Sequence, residues 1–126
     1  MKIDIDKIPA LLALLGAGDQ AEVKPATSHD LTGSYVIVRS RDSGVHAGTL
    51  MSVDGRTVVL EDSRRLWYWV AAKEHTLSAV SLHGLGDGCK IASQVERIDV
   101  LDAFEIILAI SAARTSIEGY KSHDPR

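Results

Sequence analysis

Residues 34–69 read SYVIVRSRDSGVHAGTLMSVDGRTVVLEDSRRLWYW. Apolar runs rich in Val, Ile and Leu alternate here with glycine-bearing turns, the pattern of a meander of antiparallel strands. Tyr35 to Ser40 is a first expected strand and Ala47 to Val53 a second. Asp54 and Gly55 supply a hairpin turn, because both residue types tolerate positive φ, and Thr57 to Asp62 returns against the second strand. Leu66 to Val70, dominated by aromatic and branched side chains suited to a pleated surface, is a fourth.

Further along, the pattern loosens. Thr76 to Leu85 fits a short helix or a strand, and Gly84, Gly86 and Gly88 close it with a turn. Lys90 to Ile98 reads as a last strand. Asp99 to Tyr120 reads as one long helix: Asp99 caps it, Asp102 and Glu105 suit its positive end, and Gly119 stops it. Val100, Leu101, Phe104, Ile107, Leu108, Ala112 and Ile117 would form its apolar face, with Ile106 and Ile110 outside that stripe. Such a helix is apolar nearly all round, and one sheet covers only one side of it. The same helix of a second subunit is the expected cover, so a homodimer is predicted.

Before residue 33, a short helix capped by Asp6 and carrying Pro9 in its first turn is expected, with Leu11, Leu12, Leu14 and Leu15 on its apolar face. Gln20 to Thr32 then has linker composition. The expected class is α+β: a compact antiparallel sheet of about five to seven strands, a long C-terminal helix and a short N-terminal one. Residues 1–32 form the helix and linker and residues 33–126 a single domain.

The totals exclude several functions. A net charge of −3 gives no basic field for duplex nucleic acid. A single cysteine, Cys89, leaves no disulfide framework and no multi-cysteine zinc site. The apolar run Ile8 to Leu15 is too short to span a membrane, is interrupted by Pro9 and follows acidic residues, so neither a signal peptide nor an anionic-membrane anchor is expected. A soluble, intracellular chain follows from these readings.

No catalytic centre is readable. Cys89 and His83 lack a third orienting group. The five histidines are scattered, so no metal ligand set forms. Asp102 and Glu105 are explained by a helix start. Gly84, Gly86 and Gly88 lack the strand and helix that a dinucleotide fingerprint needs. What stands out is arginine beside aromatic rings. Arg39, Arg41, Arg64 and Arg65 fall at strand ends, and Trp67, Tyr68 and Trp69 follow directly. Arginine grips phosphate through two bonds, and an aromatic face stacks on a base. Equally, the tryptophans suit a core and the arginines a surface, and spacing alone leaves both open.

The run YVIVRSRDSGVHAGTL, then VVLEDSRRLWYW and VERIDVLDAFEII, resembles the first-type Thoeris anti-defence family of small phage proteins. In that family a (Y)VIVR strand leads to an S-G-V-H-x-G elbow and an A/S-R-R-[IL]-W-x-W segment, and the likeness spans about Ser34 to Glu118. The resemblance implies a compact antiparallel sheet with C-terminal helices, pairing through those helices, and assembly as a trimer of dimers. It implies a sponge acting in the cytoplasm of the infected bacterium, without catalysis, metal or cofactor. Glycocyclic ADP-ribose signals are held intact at dimer-interface pockets, and some members hold cyclic di- or trinucleotides of CBASS systems in separate pockets. Arg39, Ser43, Gly44, Val45 and His46 match the strand end and elbow, and Arg64, Arg65, Leu66, Trp67 and Trp69 the aromatic segment. Arg114 and Thr115 lie, by a looser match, where the family brings an arginine to its ligand. Residues 1–32 depart from the shorter members. The alternative is a non-catalytic phage structural or interaction module that pairs through its C-terminal helix.

Overall fold

The computed structural model describes residues 29–123. The expected N-terminal helix and most of its linker lie outside them. Six strands and two short helices follow in the order β1 (Tyr35–Ser40), β2 (Gly44–Asp54), β3 (Thr57–Tyr68), α1 (Leu77–His83), β4 (Lys90–Ile91), β5 (Val95–Val100), β6 (Ala103–Leu108) and α2 (Ser111–Glu118). All strand pairs are antiparallel. The expected antiparallel sheet is therefore present, with six strands.

The meander β1–β2–β3 forms the middle of the sheet, and β6 pairs with β1 at one side. On the other side β3 has two partners. Its first half pairs with β5, from Val58 opposite Val100 to Ser63 opposite Val95, and its end pairs with β4 through Leu66 and Tyr68. Strands β5 and β6 thus lie on opposite edges, yet only Leu101 and Asp102 join them. That short link draws the sheet into a roll: Ala103 N–H donates to the carbonyl of Arg56 in the β2–β3 loop (2.9 Å), and Ser40 Oγ at the end of β1 donates to the Leu101 carbonyl (2.8 Å).

Rolling creates two cores. Inside the roll, Val36 and Val38 of β1 pack with Leu50, Val58, Leu60, Val100 and Ala103. On the outer face, Tyr35 and Ile37 pack with Ala47, Leu66 and Ile91 beneath Leu77, Val80, Ala113 and Ile117 of the helices. Both faces of β1 are therefore buried, which is why YVIV reads as an unbroken apolar run rather than an alternating one.

Four expectations are corrected. There is no long C-terminal helix: Asp99 to Tyr120 contains the end of β5, a turn, β6 and the eight-residue α2. Asp102 at φ 54° makes the turn, and Ile106 and Ile107 suit a strand. The separate fourth strand at Leu66 is the second half of a 12-residue β3, bent at Asp62, whose φ is 51°. The strand expected from Lys90 to Ile98 is split into β4 and β5. The β2–β3 turn also sits one residue later than Asp54-Gly55, since Asp54 pairs with Thr57 and leaves Gly55 (φ 60°) and Arg56 as the two-residue loop. The ambiguous segment is α1, capped by Thr76 Oγ1 accepting from Ala79 N–H (3.1 Å).

No helix among the described residues is long and apolar enough to cross a membrane.

Candidate functional site

Side chains alternate along β3, so Arg64 and Arg65 face opposite ways. Arg64 points to the helix side and is buried. Its Nε donates to the Ala92 carbonyl (2.8 Å), Nη1 to the carbonyls of Ile117 (2.8 Å) and Tyr120 (2.6 Å), and Nη2 to Ser122 Oγ (3.1 Å). The carbonyls at the end of a helix lack intrahelical donors, and Arg64 adds its guanidinium from the sheet to the backbone N–H of Tyr120 at Ile117. It fastens α2 to β3.

Arg65 faces the other way and is exposed, and its side chain makes no ion pair or hydrogen bond among the described residues. Directly opposite it on β2 lies His46, fully buried. Ser43 Oγ lies 2.9 Å from His46 Nε2, so the elbow RDSGVHAG turns back onto its own histidine. Gly44 at φ 87° permits that turn. The elbow's final glycine, Gly48, has a separate reason. A Cβ there would stand 2.9 Å from the Glu61 carbonyl oxygen and 3.1 Å from the Ser63 backbone, at the irregular step of the β2–β3 register.

His46, Ser63 and Arg65 line a cavity of about 280 Å³ with Ala92, Ser93, Val95 and Ile98. It sits where β4 leaves β3 and β5 joins it. Two polar atoms of this wall, His46 Nδ1 and Ser63 Oγ, are buried without a partner among the described residues. Buried polar atoms are normally paired, so the wall holds unfilled hydrogen-bonding capacity. Burial, reinforced by the Arg65 guanidinium opposite, pushes the His46 pKa down to about 4, so the ring is neutral near pH 7. The only full charge among the lining side chains is then Arg65, at the rim.

Trp67 continues the Ser63–Arg65 face and is 67% exposed, 5.8 Å between ring centroids from His123. Trp69 does not share this face. The strand ends at Tyr68, and Trp69 packs against the helix-side core.

Of the residues singled out in the sequence, the structure brings together Ser43, His46, Arg65 and Trp67, with Gly44 and Val45 shaping the elbow beside them. The others stand elsewhere. Arg39 pairs with Glu105 (3.1 Å) and covers the Phe104 ring at 5.2 Å on β6. Arg114 pairs with Glu118 (3.2 Å) and lies 5.2 Å over the Tyr35 ring. Thr115 lines a separate groove with Tyr120 and His123. Ser63 and Ser93 escape the sequence reading. Counting by twos back from Trp67 and Arg65 reaches Ser63, a signal the sequence does carry. Among the described residues no group of three His, Cys, Asp or Glu side chains is placed to hold a metal ion.

Fold and site together define a small rolled antiparallel sheet with an uncharged, mostly apolar cavity, an arginine at its rim without a side-chain partner among the described residues, and an exposed tryptophan beside it. Residues 33–117 match the model of the family described as a domain of unknown function, DUF6948, and the chain belongs to that family. No curated protein and no solved structure matches it.

Proposed function

We propose that this protein is a phage anti-defence sponge. It binds cyclic nucleotide immune signals, glycocyclic ADP-ribose of Thoeris systems first and cyclic di- or trinucleotides of CBASS systems second, in the cytoplasm of the infected bacterium. It holds them without turnover. The observation that carries this reading is the placement of Arg65, a guanidinium with no protein partner among the described residues, between the exposed Trp67 and a cavity with unpaired polar atoms. A free guanidinium matches a phosphate, and an exposed indole matches a base. The family resemblance of the elbow and of RRLWYW points the same way. Incubation with a cyclic ADP-ribose isomer, filtration and heating of the retained fraction tests it. The intact nucleotide is expected back in solution. No retention, or recovery of a hydrolysed product, sinks the sponge reading.

A second reading, a protein-interaction module, draws on the apolar strip of Phe104, Leu108 and Ile110, all exposed. For the sponge that strip has a use as well: it replaces the expected long helix as the surface through which two copies pair, and a trimer of dimers builds on that pair.

A further inference from the structure

We propose that the cavity at the open end of the roll binds a small apolar carboxylate, its hydrocarbon body against Ala92, Val95 and Ile98 and its carboxylate on Arg65. This goes beyond the nucleotide reading and stands independently of it, although both use the same guanidinium.

Position in the fold comes first. Cross-strand neighbours share a face, so Val38 of β1, His46 of β2 and Arg65 of β3 form one row across the sheet, and Val38 belongs to the core inside the roll. Ile98, which lines the cavity, packs against that same core. The cavity is therefore the place where the inner core runs out toward solvent, with Arg65 as the exposed end of the row. Mouths of rolled and closed sheets are common small-molecule sites, because apolar walls are already assembled there.

The lining then selects the body of the ligand. Ala92, Val95 and Ile98 supply apolar surface, while His46 Nδ1 and Ser63 Oγ are buried behind the wall and open no surface into the space. A hydroxylated or charged group pushed inside would lose its hydration without gaining a partner. An apolar group makes no such demand. Size sets its limit: about 280 Å³ lies below the roughly 300–1,000 Å³ of pockets that enclose a drug-sized molecule, whereas an apolar cavity of about 150 Å³ already holds benzene. One ring or one short branched chain fits.

The rim selects the head. Arg65 is the only lining side chain with a full charge near pH 7, since the ring of His46 opposite it is neutral there. Its guanidinium has no ion pair or hydrogen bond among the described residues. One guanidinium balances one negative charge, and a carboxylate brings one, on two oxygens that match the guanidinium fork with parallel bonds. A phosphate monoester brings nearly two, and no second cation lines the cavity to meet the excess. Trp67 stands about 7 Å further along the same face of β3 and is 67% exposed, close enough for its fluorescence to register an occupant.

The test titrates the full chain with phenylacetate and with 3-methylbutanoate, followed by calorimetry and tryptophan fluorescence. Their amides carry the body without the charge, and acetate carries the charge without the body. At least one acid is expected to bind tenfold or more tightly than both its amide and acetate. Arg65→Gln should bring that acid down to the level of its amide. Val95→Glu, which removes apolar wall and introduces a competing carboxylate at an exposed position, should weaken the acid at least tenfold, with the folding of both variants checked by melting temperature. No binding of either acid at millimolar concentration, equal binding of acid and amide, or binding unchanged by either substitution overturns the assignment. Cyclic ADP-ribose is run beside the acids. Its retention without acid binding leaves the sponge and overturns the carboxylate site; acid binding without its retention upholds the carboxylate site and removes the sponge.

Discussion

Arg64 and Arg65 carry the same charge one residue apart, and the pleat of β3 sends one into the protein and the other into solvent. Arg64→Ala strips donors from the Ala92, Ile117 and Tyr120 carbonyls at once and leaves a buried space between α2 and β3, with only the backbone N–H groups of Gly119 and Tyr120 still capping the helix. A loss of about 3 kcal/mol in urea unfolding is expected from such multiple unsatisfied acceptors. Arg65→Ala should change stability by less than about 0.5 kcal/mol, as at other exposed positions, and weaken cyclic ADP-ribose at least tenfold, as expected for loss of a charge-assisted bond. Equal effects of the two substitutions in both assays would refute the division. His46 supplies a pH test. Its pKa in the fold is about 4, against about 6.5 for an unperturbed histidine, so between those values the unfolded chain binds more protons than the folded one. Stability should therefore fall as the pH drops from about 6.5 to about 4, by on the order of 2 kcal/mol from this residue. Denaturation across that range should show the slope in the native protein and a flatter curve in His46→Gln; identical slopes would remove His46 as its source.

At the level of elements, legibility follows the number of faces each segment buries. The meander β1–β3 is readable because its turns carry Gly44 and Gly55 and its strands carry branched residues. Simple alternation puts both tryptophans on one face, and it fails because β3 ends before Trp69. The stretch from Asp99 misleads for a physical reason. Val100, Leu101, Ala103, Phe104, Ile106, Ile107 and Leu108 satisfy a 3.6-residue period about as well as a 2-residue one, and short apolar runs do not separate the two. The decisive event is Asp102 in the left-handed region, held by Arg41 (3.3 Å) and Arg56 (2.9 Å) from the ends of β1 and of the β2–β3 hairpin. Those partners are 61 and 46 residues away in the chain, so no local pattern reveals them. The candidate site is legible in part for the same reason. The elbow and RRLWYW name His46, Arg65 and Trp67, but the cavity exists only because β4 and β5 share β3, and the far wall at Ala92 and Ser93 comes from the link between them.

For the whole molecule, loss of the long helix moves the expected subunit contact to β6. This strand pairs with β1 alone, so its other edge has unpaired backbone groups among the described residues. Phe104 is 52% and Leu108 48% exposed along it, and Ile110 follows at 45%. An unprotected apolar edge is a template for another strand, and natural sheets usually blunt such edges with charge or cover them. Here Glu105 is the one charged side chain of β6, and Arg39 neutralises it from within the same chain. A second copy offers an identical edge, and two antiparallel β6 strands related by a two-fold axis satisfy each other's backbone groups and bury both apolar strips. Leu108→Lys places a charge in that contact while leaving the β1 pairing and both cores in place. Light scattering at micromolar concentration should find a dimer or a multiple of it for the native chain and a monomer for Leu108→Lys, with the substituted chain still folded by circular dichroism. If the native chain is monomeric, or if Leu108→Lys assembles as the native chain does, β6 is not where the copies meet. Because the β6 edge and the Arg65 rim lie on different strands, the monomeric variant should keep its affinity for cyclic ADP-ribose, which separates assembly from the nucleotide site within one protein.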